Sequence, residues 1–110
     1  MGGIGYTGLV IDPETVWREQ QEATFPASCL PLAIDGLKLV KLDAAAGAIL
    51  TSSLRTDGQV RHIPDAKRES LRNHRELIAR ALVEVPLDPD GKAYFERLAF
   101  LCTQVLMGPG

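Results

Sequence analysis

The apolar positions of this chain change their rhythm three times. Near the start, the run IDPETVWREQQ reads as a helix opening at Asp12. Asp12 is a suitable N-cap, Pro13 fits the first helical position, and Glu14 suits the positive end of the helix dipole. The helix is short and ends near Ala23, because Pro26 lies beyond it. Val16 and Trp17 give it an apolar anchor.

Between residues 29 and 63 the pattern looks extended. Leu30, Leu32 and Ile34 alternate with Pro31, Ala33 and Asp35, and Asp35-Gly36 is a hairpin signal. Leu37 to Leu42 reads as a second strand with apolar residues on both faces. DAAAG reads as a turn, Ala48 to Leu54 as a third strand, and Val60 to Ile63 as a fourth. Asp57-Gly58 supplies the turn between the last two.

From Asp65 the period becomes helical. Leu71, His74, Leu77, Ile78, Ala81, Leu82 and Val85 fall on one arc at 100° per residue, with Arg68, Arg72 and Arg75 beside it. Pro86 closes this helix. Asp88 or Asp90 caps the next, which Gly108 and Pro109 end. Its apolar face holds Tyr94, Phe95, Leu98, Leu101, Cys102, Val105 and Leu106. The short connection makes the two long helices an antiparallel pair.

The expected fold is therefore α+β. A short helix precedes a small antiparallel sheet, a meander of about four strands, and two long antiparallel helices pack on one of its faces. The 110 residues suit one domain, with residues 1–9 a flexible glycine-rich N-terminal segment. The N-terminal glycines lack the preceding strand of a dinucleotide-binding turn and the Gly-Lys-Ser/Thr of a phosphate loop.

Net charge is −2 and 45% of residues are hydrophobic, an ordinary globular balance. The charge is uneven: residues 51–80 carry net +3 against −3 for residues 1–50 and −2 for residues 81–110. The basic strip of Arg68, Arg72 and Arg75 is broken by Glu69 and Glu76, so nucleic acid is not the expected partner. No apolar run is long enough for a membrane helix, and the N-terminus lacks the form of a signal peptide. Cytoplasmic location is the default reading. Cys29 and Cys102 sit among apolar residues and read as buried thiols.

Candidate chemistry concentrates in SSLRTDGQVRHIPD, residues 52–65. Ser53 and His62 face each other across the expected hairpin, with Asp57 and Arg61 nearby. Neither serine has nucleophile-elbow surroundings, and Asp57 suits the turn. An enzyme or small-ligand site on His62, Asp57, Ser53 and Arg61 is the lesser expectation. His62 and His74 match no metal-ligand spacing, and no cofactor is expected.

The principal expectation is a non-catalytic protein that associates with itself, a dimer being favoured, or with another protein. It comes from Phe100 and Met107, which fall on the side of the last helix opposite its apolar face. Two large apolar groups there call for a second contact surface. Trp17 belongs to the same expected surface, and Arg68, Arg72 and Arg75 would set its charge selectivity.

Overall fold

The computed structural model describes residues 12–108. The glycine-rich segment 1–9 lies outside the described residues. Four helices dominate: α1 (Pro13–Glu22), α2 (Leu39–Ser53), α3 (Asp65–Glu84) and α4 (Pro89–Leu106). A 3-10 turn (Ala27–Cys29) and two two-residue strands, β1 (Ala33–Ile34) and β2 (Leu37–Lys38), lie between α1 and α2.

The four-strand meander is thus corrected to a mostly helical fold with one small hairpin. The Asp35-Gly36 turn does form, with Asp35 at φ 51° and Gly36 at φ 80°. Positive φ at both central residues is what a tight hairpin of primed type requires. The ladder stops at once, pairing only Ala33 with Lys38 and Ile34 with Leu37.

From Leu39 the chain is helical for a physical reason that alternation obscured. Leu39, Leu42, Ala46, Leu50 and Ser53 are buried, spaced three or four apart. That is one face of a helix. Ala44, Ala45 and Ala46 favour helix, so DAAAG continues α2 instead of turning it. The helix ends where hydroxyls bond back to its carbonyls. Ser53 Oγ and Ser52 Oγ both donate to the Ile49 carbonyl, at 2.6 and 2.9 Å, and Thr51 Oγ1 donates to the Gly47 carbonyl at 2.8 Å. The expected third and fourth strands shrink to a single bridge between Leu54 and Val60 around Gly58, which has φ 83°.

α1 and α4 each begin at an aspartate cap. Asp12 accepts from the Glu14 amide and from Thr15 Oγ1. Asp88 accepts from the Gly91 amide at 2.8 Å, with Pro89 at the first turn of α4. α3 follows Pro64 directly.

α3 and α4 pack as an antiparallel pair. Arg68, near the start of α3, reaches the Leu106 carbonyl at the end of α4 at 2.9 Å, and Arg75 reaches Thr103 Oγ1 at 2.8 Å. Their seam is filled by Leu71, Ile78, Ala81, Leu98, Leu101, Cys102 and Val105, all buried. α1 and α2 pack on other sides of α4, which is the central helix of the core.

Candidate functional site

Three of the expected partner-binding residues lie on α3. Arg68 and Arg75 are bonded to the end of α4, where cations offset the negative pole of the helix and its unpaired carbonyls. Arg72 is exposed and pairs with Glu69 at 2.6 Å. Trp17 is buried, only 5% exposed, and belongs to the core. Met107 is 77% exposed. Phe100 is partly buried and packs against the edge of the core, in a groove of about 330 Å³ that it shares with Val16, Glu19, Ala93, Glu96 and Arg97.

The residues of the lesser expectation are held apart in role. Ser53 is fully buried and its hydroxyl is committed to the Ile49 carbonyl. Asp57 accepts from the Gln59 amide within its turn. His62 and Arg61 are exposed. His74 is partly buried, and its Nδ1 is buried without a hydrogen-bond partner. Among the described residues, no group of three or more His, Cys, Asp or Glu could hold a metal ion. Cys29 and Cys102 are free and buried, and burial pushes the Cys102 thiol up to about 12.

A cluster that the sequence reading did not anticipate lies where α1, α2 and α4 meet. α1 presents Trp17 and, one turn on, Gln20. α2 presents Asp43, Gly47 and Leu50, and α4 presents Tyr94, Arg97 and Leu98. Two hydrogen bonds tie the helices together. Tyr94 Oη donates to Asp43 Oδ1 at 2.9 Å, and Arg97 Nε donates to Gln20 Oε1 at 2.9 Å. The Arg97 guanidinium also lies 5.9 Å from the centre of the Tyr94 ring. Phe25 and Phe95 meet that ring edge to face at 5.5 and 5.4 Å.

Burial shifts both acids of the cluster. It raises the Asp43 carboxyl above its ordinary value, opposed by the Tyr94 hydrogen bond. It raises the Tyr94 phenol strongly, and the bond to Asp43 and its negative charge add to that. A proton between them therefore stays on the phenol oxygen and is shared toward the carboxylate.

Tyr94 separates two recesses. One, of about 220 Å³, is lined by Trp17, Gln20, Asp43, Gly47, Leu50 and Tyr94 among others. The other is larger and open, about 530 Å³, and is lined by Phe25, Ser28, Asp88, Asp90, Tyr94 and Arg97 among others. The amide nitrogen of Gln20 is buried and has no partner. The missed signal was the mixture of an acid and small residues, Asp43-Ala44-x-x-Gly47, on one helical face. It is visible only once α2 is read as a helix.

Comparison with protein-family models, with curated proteins and with solved structures finds no match. Among the described residues no helix is long and apolar enough to cross a membrane.

Proposed function

We propose that the chain is a non-catalytic binding protein that pairs with a second copy of itself through the outer side of α4. The observation that carries this reading is Met107, a large apolar side chain left 77% exposed on the same side of α4 as Phe100. Ala93, Phe100 and Met107 recur every seven residues, so they share one helical face. Beside them runs the groove floored by Val16 and Phe100.

The rim of that groove carries Glu19, Glu96 and Arg97, charges of both signs. A two-fold contact places the same patch against itself, so it needs a patch that is its own complement. A mixed rim around an apolar floor meets that requirement. Arg72, an exposed member of the arginine strip, would then bias the choice among partners through charge. Two buried free thiols suit a reducing compartment, and the cytoplasm is the location we assign.

Sedimentation velocity across a range of concentrations tests the reading. The wild type should sediment as a dimer, and Met107→Asp should shift it to monomer without unfolding, since that side chain is exposed. Phe100→Asp should do the same, with circular dichroism to check the fold. A wild type that stays monomeric at the highest concentration, or a Met107→Asp protein that stays dimeric, overturns it.

A further inference from the structure

We infer that the two copies pair with their α4 helices antiparallel, so that Met107 of each copy seats in the groove beside Ala93 of the other. This arrangement presupposes pairing through the outer side of α4, and it names the part of the partner that fills the groove.

The spacing of the face sets the register. Ala93 and Met107 lie seven residues to either side of Phe100, about 10 Å each way along a helix. A two-fold axis at Phe100 exchanges them when the helices run antiparallel. Met107 of one copy then meets Ala93 of the other, and the contact occurs twice. Ala93 is small and exposed, and with Val16 and Phe100 it lines the apolar floor of the groove of about 330 Å³. Met107 stands 77% exposed at the end of α4. A methionine side chain is long, unbranched and flexible, which suits it to an irregular apolar gap. A parallel pairing would set Met107 on Met107 and Ala93 on Ala93, and would leave both grooves empty.

Charge selects the same direction. Glu19 and Glu96 line the groove, and Asp90 is exposed one turn before Ala93. Arg97 also lines it, but its guanidinium is bonded to Gln20 and lies beside the Tyr94 ring. Lys92 falls about 100° round the helix from Ala93. The groove end of α4 is therefore mainly acidic. The Met107 end is basic. Arg68 and Arg75 are bonded to the end of α4, and Arg72 lies between them on α3, with Glu69 and Glu76 offsetting part of that charge. Antiparallel pairing brings the acidic end of each copy to the basic end of the other, whereas parallel pairing brings like ends together.

Disulfide trapping tests the direction, with Ala93→Cys and Met107→Cys made singly in the full chain. Bridged cysteines need Cα atoms within about 7 Å. In the antiparallel pair the two copies of position 93 lie about 21 Å apart along the helix, while 93 and 107 face each other. Diamide should leave the Ala93→Cys protein unlinked and should link it once the Met107→Cys protein is added. That mixed pair keeps one native Met107 against one native groove, so it still assembles. Cys29 and Cys102 are buried, and the wild type should stay unlinked.

Sedimentation separates the two questions. A monomeric wild type removes the pairing, and its direction with it. A dimer in which Ala93→Cys links to itself, or in which the mixture fails to link, overturns the antiparallel arrangement alone. Ionic strength gives a second readout on the wild type. Added salt should weaken the dimer several-fold, because opposite charges meet. A dimer that tightens with salt has like ends together and overturns the arrangement as well.

Discussion

The seam between α3 and α4 and the seam where α1 and α2 meet α4 use the same central helix and end differently. In the first, Leu71 and Ile78 meet Leu101 and Val105 in a filled interior, and Arg68 and Arg75 close the end of α4 with hydrogen bonds. In the second, α2 contributes Asp43, Ala44 and Gly47, and these small or polar groups cannot fill the gap to Trp17 and Leu98. A recess remains, lined in part by Gln20, whose amide nitrogen is buried without a hydrogen-bond partner. The contrast shows how one helix meets two kinds of neighbour: large side chains on one flank close the seam, and small ones opposite its other flank leave a recess.

The contrast can be broken most forcefully by Leu71→Ala. This fully buried residue sits in the filled seam, and its truncation should cost about 3 kcal/mol, as large-to-small changes in a tight core do. Urea denaturation would measure it, and a cost below about 1 kcal/mol would mean that the closed seam is looser than described. At the open seam the sign should reverse. Gly47→Ala adds a carbon to free space inside a helix, so it should stabilise the protein by about 0.5–1 kcal/mol. A loss of stability in the same assay would show that the recess has no spare room at that point.

The smallest effect is the most informative about charge. The Asp43 carboxyl is raised by burial, so the folded state favours its protonated form. The stability linked to it is present below the ordinary carboxylate value and is lost as pH rises through the raised one. Asp43→Asn should therefore melt higher than the wild type at neutral pH, and the gap should close on acidification through the carboxylate range. A gap that is constant or grows on acidification contradicts the assignment. The exposed Asp35 behaves in the opposite way. Arg80 holds it below its ordinary value through bonds of 2.6 and 3.0 Å, so its contribution is lost as pH falls.

The two seams also differ in how far the sequence revealed them. α3 and α4 were legible because their apolar arcs are long and Pro86 separates them, with Asp88 or Asp90 marking the start of the second. α2 was not. The apolar residues from Leu37 of β2 through Leu39, Val40 and Leu42 of α2 fit a two-faced strand as well as a helix over so short a window, and Asp35-Gly36 made a sheet plausible. The turn was real, but tertiary burial of Leu39, Leu42, Ala46 and Leu50 against α3 and α4 decided the helix. Asp43 was hidden by the same error, since a turn aspartate raises no question and a half-buried helical one does. Phe100 was expected on the side of α4 facing away from the core, yet it is partly buried beside Val16 and Glu19 of α1, and a helix wheel cannot show what packs alongside.

Gly58 has a bearing on the order in which the molecule assembles. A side-chain carbon there would lie 2.7 Å from the Glu14 amide nitrogen, so the tip of the 54–60 loop rests on the main chain at the start of α1. α1 therefore has no complete seat until a much later segment has closed. Of the four helices it should be the last to dock and the first to lift away, which would expose the amide protons of α1 to exchange before those of α3. Because α1 carries Trp17, the same loosening would bring that buried indole into contact with solvent.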